Sequence, residues 1–245
     1  MTGGELDDAV ALVTGATGGL GSACARVLAA AGADVFLLGR SPRALEALAE
    51  QLGAARTCQC DLADPDAVRR TFERMPVPDV LVGCAGGNRP GPFLELTAED
   101  LAWSWRVNVA TALLPAQAAA RRMVAGSRAG AIVTVTSQMG HVGGEGRTAY
   151  CAAKHAVEGA SKAMALELAP HGIRVNTVAP TFVETPMTRP FLSDPAVRSD
   201  VLRRIPLGRL GTPEEVAAAV LFAVSPGAGL MTGASVVIDG GWTAR

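Results

Sequence analysis

Short apolar runs alternate with longer stretches of helical periodicity along the whole chain. The runs at 9–13, 34–38, 56–60, 79–82, 131–136, 173–178 and 235–238 have strand length, and all but 56–60 are rich in Val, Leu and Ile. Between them, 19–31, 42–52, 64–74, 98–125, 148–171 and 213–224 read as helices, with Pro42 and Pro213 set for a first turn. Strands that stay apolar on successive residues are covered on both faces, and strands separated by helices pair in parallel. The expected fold is therefore α/β, a doubly wound parallel sheet of about seven strands with helices on both sides. There is no internal repeat and no linker, so 1–245 reads as a single domain. The Pro-rich stretch 180–195 has no period and is expected to be irregular, with 181–205 as a lid over a substrate.

Composition narrows this picture. The chain has 245 residues, enough to bury a substantial core. Hydrophobic residues make up 49% against 18% charged, which favours a covered sheet and surface hidden between subunits. A net charge of −1 leaves no electrostatic footprint for nucleic acid or an anionic membrane. The first ten residues are polar and acidic, unlike a secretory signal, and no apolar run reaches the ~18 residues of a membrane span. A soluble, cytoplasmic protein is expected. The five cysteines, Cys24, Cys58, Cys60, Cys84 and Cys151, follow no metal or disulfide spacing, and no zinc site is expected with His141, His155 and His171. They read as small buried hydrophobes, although Cys151, beside Tyr150, could also be reactive.

Two features carry chemistry. Tyr150 is the single tyrosine, and Lys154, one of only two lysines, follows it by four residues on a predicted helix. Phenol and ammonium then share one face. An ammonium ~4 Å away at an effective dielectric of ~20 favours phenolate by up to ~4 kcal/mol, or ~3 pKa units. Such a phenol can pass protons near neutral pH; the alternative is a helical Tyr beside a surface Lys. The second feature runs from the first strand into a helix: Thr14, Gly15, Ala16, Thr17, Gly18, Gly19, Leu20 and Gly21. Glycines let backbone approach a pyrophosphate, and the helix N-terminus offers free N–H groups and a positive dipole end. A tight turn without a ligand is the other reading.

Together these motifs resemble the short-chain dehydrogenase/reductase family, and the resemblance covers essentially the whole chain. It implies a Rossmann-type fold and a nicotinamide-dependent oxidoreductase acting on ketones or secondary alcohols. It assigns Asn108, Ser137, Tyr150 and Lys154 as the catalytic tetrad. Tyr150 would exchange the proton, Ser137 hold the carbonyl oxygen, Lys154 lower the Tyr150 pKa and bind ribose, and Asn108 position a water. It places Thr14 to Gly21, Asp61, Leu62, Cys84, Ala85, Gly86, Pro180, Val183 and Thr185 at the cofactor, together with Tyr150 and Lys154. Two stations depart from the pattern. Gly83-Cys84-Ala85-Gly86 stands where the family reads Asn-Asn-Ala-Gly, which puts local rigidity in doubt, and Pro180-Thr181 replaces Pro-Gly.

The second strand ends in Gly39-Arg40-Ser41 without an acidic residue. Arg40 and Ser41 suit a 2′-phosphate, with Arg43 one turn on, so NADP(H) is favoured; Arg40 stacked on adenine would leave NAD(H) possible. The substrate is expected to be a small carbonyl compound or alcohol, and Arg89, Gln138, His141 and Glu145 are its candidate polar contacts. Solvent-facing loop positions are the alternative for each of the four. Within the family, a 3-oxoacyl-acyl carrier protein reductase is an alternative, with Arg128 as a docking residue and His171 in place of a second base. A non-catalytic cofactor sensor is a further one. Ala- and Met-rich helices, with the resemblance, point to a homotetramer or a dimer.

Overall fold

A computed structural model describes residues 4–53 and 55–244. Seven strands, β1 Val10–Thr14, β2 Asp34–Gly39, β3 Arg56–Gln59, β4 Val80–Gly83, β5 Gly130–Val135, β6 Ile173–Pro180 and β7 Ser235–Ile238, form one sheet. Every pairing is parallel, in the order β3-β2-β1-β4-β5-β6-β7. All seven expected strands are present, shifted at their ends by no more than two residues.

Alternation along each strand explains why the sheet is wrapped twice. Ala11, Val13, Val35, Leu37, Val82 and Val133 face one core, packed by α1 (Gly19–Ala30), α2 (Pro42–Leu52) and α9 (Pro213–Val224). Leu12, Phe36, Leu38, Leu81, Ile132 and Val175 face the other, under α3 (Pro65–Arg74), α5 (Thr111–Ala125) and α6 (Thr148–Leu168). Both sets are buried, which is why the strands read as continuous apolar runs. The order reverses between β1 and β4, and the crevice beyond the carboxyl ends of those strands is where such sheets bind ligands.

Three expectations need correction. The stretch 98–125 is not one α-helix: α4 (Ala98–Trp105) passes into α5 through a π-helical turn, Arg106–Ala110. The helix begun at Thr148 ends at Leu168, where a 3-10 turn, Ala169–His171, takes over before Pro170 can disturb the helical ladder. The segment after β6 is not wholly irregular. It holds α7 (Arg189–Leu192) and α8 (Pro195–Arg204), the latter capped by Asp194, whose carboxylate accepts from the N–H groups of Ala196 and Val197. Only Val201 of α8 is buried, so apolar periodicity was silent there. Leu192, Val201, Ile205 and Leu210 anchor the segment, with Phe182, Phe191 and Trp242 against them. Among the described residues, no helix is long and apolar enough to cross a membrane.

Candidate active site

The crevice begins at the glycine turn after β1. A Cβ on Gly21 would lie 2.2 Å from the Gly15 carbonyl oxygen, so only glycine lets the turn close on the start of α1. Helices α2, α3, α4, α8 and α9 are each capped by a Ser, Asp or Thr side chain. By contrast, α1 starts at Gly18 with no side-chain cap and no acidic residue in its first turn. Its free N–H groups and dipole are left for an anion. Thr14, fully buried, carries an unpartnered hydroxyl in the same turn. Thr17, Gly18, Gly19 and Leu20 stand partly or wholly open above it. These residues fit a dinucleotide pyrophosphate.

The other expected cofactor residues ring this turn. A Cβ on Gly15 would meet the Ala85 N atom at 2.7 Å, and one on Gly19 would meet Thr185 at 2.9 Å, so both flanking segments crowd the cradle. Val183 and Thr185 are buried, and Pro180 ends β6 beside Ile238. The Thr188 hydroxyl donates to the Val183 carbonyl at 2.5 Å and accepts from the Thr185 N–H at 2.9 Å, which shapes that turn. Arg40 is exposed at the carboxyl end of β2. Ser41 beside it caps α2, accepting from the Ala44 N–H, so its hydroxyl is committed as an acceptor. Asp61 accepts from Arg106 at 3.1 Å and from the Ala63 N–H, and Leu62 is buried.

Asn108 lies in the π-helical turn and is 1% exposed. Its side chain accepts from the Gly87 N–H at 3.1 Å and donates to the Gly87 carbonyl at 2.9 Å and to Ser104 O at 3.0 Å. The rigidity put in doubt by the missing asparagines after β4 is supplied from across the crevice. The π turn brings Asn108 to that loop, a common use of such turns at functional sites. A Cβ on Gly86 would sit 2.9 Å from Asn108 Oδ1 and 3.7 Å from Lys154 Nζ, so both side chains crowd this glycine.

Ser137, following β5, hydrogen-bonds to Tyr150 and accepts from the Met139 N–H at 3.1 Å. Lys154 is 5% exposed; its ammonium donates to the Val135 carbonyl at 3.3 Å and lies 5.6 Å from the Tyr150 ring centroid. The expected effect of Lys154 on Tyr150 is not what the geometry produces. Burial pushes the phenol up to about 12, and Ser137 and Arg147, not Lys154, pull against it. Burial draws Lys154 down to about 8, opposed by Cys84 and Glu158. Behind Lys154, the Glu158 carboxylate accepts from Thr136, from Thr177 at 2.8 Å and from Ser235 at 3.3 Å.

A cavity of about 170 Å³ opens on Ser137 and Tyr150, lined also by Asn88, Gln138, Arg147, Thr181, Phe182 and Phe191. Of the four expected substrate contacts, Gln138 lines it, and Glu145 lines an adjoining cavity of about 510 Å³. Arg89 does not reach it: its guanidinium stacks 4.1 Å over Trp103 and pairs with Asp100 at 3.9 Å. His141 turns back to Ser235 at 2.9 Å and Glu158 at 3.4 Å. Arg147, the residue that precedes α6, lines this cavity as well and was missed, although it stands only three positions before Tyr150. Burial raises the thiols of Cys58, Cys60 and Cys151, and a hydrogen bond to Cys24 raises Cys84, so none is activated.

A pyrophosphate cradle leading to a phenol held by a hydroxyl and backed by a buried ammonium suits hydride transfer at a carbonyl. This is the work of nicotinamide-dependent oxidoreductases. A family model described as Enoyl-(Acyl carrier protein) reductase matches residues 15–243. D-threitol dehydrogenase of Mycolicibacterium smegmatis is 40% identical over 98% of this chain and 95% of its own. L-xylulose reductase of Bos taurus is 39% identical over 96% of each chain. The crystal structure of a putative 2-deoxy-D-gluconate 3-dehydrogenase from Agrobacterium tumefaciens with bound NADP superposes with a TM-score of 0.91. It is 38% identical, and the match covers 98% of each chain. The chain belongs to the short-chain dehydrogenase/reductase family, and it is an oxidoreductase of alcohol and carbonyl groups. The carrier-protein alternative gains nothing from Arg128, whose guanidinium is bonded to Asp79 at 2.7 Å.

Proposed function

We propose that the protein interconverts a ketose-like carbonyl and the corresponding polyol, with NADP(H) preferred over NAD(H). The observation that carries this reading is polar. Asn88 Oδ1, Gln138 Oε1 and Thr181 Oγ1 are buried without hydrogen-bond partners, and all three residues line the cavity beside Ser137 and Tyr150. Unmet acceptors in a site cost free energy until a ligand satisfies them, so a substrate bearing several hydroxyls is favoured over a plain ketone. Relatives named for threitol and xylulose support this.

The cofactor would lie from the α1 N-terminus to Val183 and Thr185, with Arg40, free of any acidic neighbour at the β2 end, pairing a 2′-phosphate. Nicotinamide, when bound, supplies the hydride in reduction and accepts it in oxidation. As the carbonyl carbon gains hydride, its oxygen gains the Tyr150 proton, leaving phenolate; oxidation runs the same transfers backwards. Ser137 donates to the developing oxyanion. Lys154 holds positive charge near the phenol, and Asn108 fixes the Gly86–Gly87 backbone that borders Lys154. The segment 181–205 acts as the lid, since its Phe182 and Phe191 wall the cavity. Exposed apolar side chains at Leu101, Trp105 and Leu166 favour burial against further copies of this chain in a tetramer.

The test is initial-rate oxidation of NADPH, and separately NADH, against ketoses of four to six carbons and the matching deoxygenated ketones. Rates on ketoses should exceed those on ketones by about tenfold or more for each lost pair of polar contacts. Faster turnover of the plain ketones would discard the polyol reading.

A further inference from the structure

Arg147 is 8% exposed, and it lines both the catalytic cavity and the larger one adjoining it. Its guanidinium stacks 4.8 Å over the Phe191 ring. Among the described residues, no carboxylate pairs with it and no acceptor bonds its side chain. Other partly buried arginines differ: Arg174 donates to four backbone carbonyls and Arg122 to three. A guanidinium cannot shed its charge, and its donors remain available to a ligand in the cavities it lines. Of the acids lining the larger cavity, Asp200 is engaged by Arg203 at 2.5 Å and Arg204 at 3.0 Å, and Glu145 is exposed.

Arg147 is the residue just before α6, three positions ahead of Tyr150, and the two side chains line the same cavity. A substrate whose carbonyl meets Tyr150 and Ser137 therefore passes its next few atoms by the guanidinium. The planar fork matches a carboxylate in two parallel hydrogen bonds. We propose that Arg147 is a specificity-determining residue that binds a carboxylate on the substrate, so that among polyhydroxylated, ketose-like compounds those carrying a carboxylate are preferred over neutral ones. This rests on the reading above that the cavity is the carbonyl site.

Threitol and threonate share one four-carbon chain and differ only in a terminal alcohol against a carboxylate. Binding of each is measured calorimetrically to the protein saturated with NADPH, which cannot reduce either ligand. The wild type should bind threonate at least about tenfold more tightly than threitol. Arg147→Gln should erase that difference while keeping NADPH affinity, and Arg147→Lys should keep part of it. If Arg147→Gln does not fold, the graded loss in Arg147→Lys carries the same comparison. Equal or weaker binding of threonate by the wild type overturns the proposal, as does binding of neither ligand, or a variant that weakens both ligands alike. Failure to reduce any ketose or keto acid, with threonate selectivity intact, would instead sink the proposed reaction and leave the Arg147 site standing.

Discussion

Lys154 follows Tyr150 by one helical turn, yet its ammonium lies 5.6 Å from the phenol ring centroid and donates to the Val135 carbonyl at 3.3 Å. The two groups titrate apart: burial lifts Tyr150 to about 12 and lowers Lys154 to about 8. Tyr150 is therefore a neutral phenol, and so a proton donor, across the ordinary pH range.

Opposite pH profiles should result for the two directions. Reduction uses the phenol, so its kcat/KM should be flat up to about pH 8 and fall above it as Lys154 loses its proton. Oxidation uses the phenolate, whose fraction rises about tenfold per pH unit well below its pKa, so its rate should climb through neutrality. Paired profiles in both directions decide this; an oxidation rate independent of pH would contradict it.

Stability should carry the same signature. The folded-state pKa of Lys154, about 8, lies below the ordinary 10.5, so between these values the unfolded chain binds the extra proton. The native state is penalised below about pH 8 and regains stability as pH rises towards 10.5. Lys154→Met should raise stability at neutral pH, on the order of 2 kcal/mol, while abolishing turnover. Urea unfolding at neutral and alkaline pH should show that gain shrinking as pH rises.

Asn108→Ala would release both polar backbone groups of Gly87 and the bond to Ser104. A loss of about 1–3 kcal/mol is expected, with a fall in kcat because the Gly86–Gly87 backbone borders Lys154. Asn108→Asp keeps the acceptor for the Gly87 N–H but sets its second oxygen against the Gly87 and Ser104 carbonyls, so it should lose at least as much as Asn108→Ala. Thermal unfolding and steady-state rates of both variants check this order.

Arg40→Ala should weaken NADPH binding by about tenfold or more and leave NADH binding nearly unchanged, because only the former offers a phosphate to pair. Fluorescence titration with each cofactor is the check. An equal loss for both would mean that Arg40 stacks on adenine.

The strands were legible because both faces of the sheet are buried and apolar residues dominate successive positions of β1, β4 and β5. The glycine turn and the Tyr150–Lys154 spacing were legible because close approach and helical stacking impose fixed distances along the chain. Three things were not. The π turn at Asn108 has no sequence period of its own, since its residues continue the pattern of α4 and α5. Helix α8 buries a single residue, so only its Asp194-Pro195 start announced it. Arg89 and His141 were near the site in sequence, but Trp103 with Asp100, and Glu158 with Ser235, draw them elsewhere. Arg147 was overlooked because an arginine at a helix start reads as solvated until the walls around it are known.

The most direct measurement is turnover of the best ketose or keto-acid substrate by Tyr150→Phe, alongside its NADPH affinity. The phenol hydroxyl is the proposed proton donor, so kcat should fall by about a thousandfold or more with NADPH binding unchanged. Turnover within about tenfold of the wild type would contradict the assignment of Tyr150 as the catalytic acid.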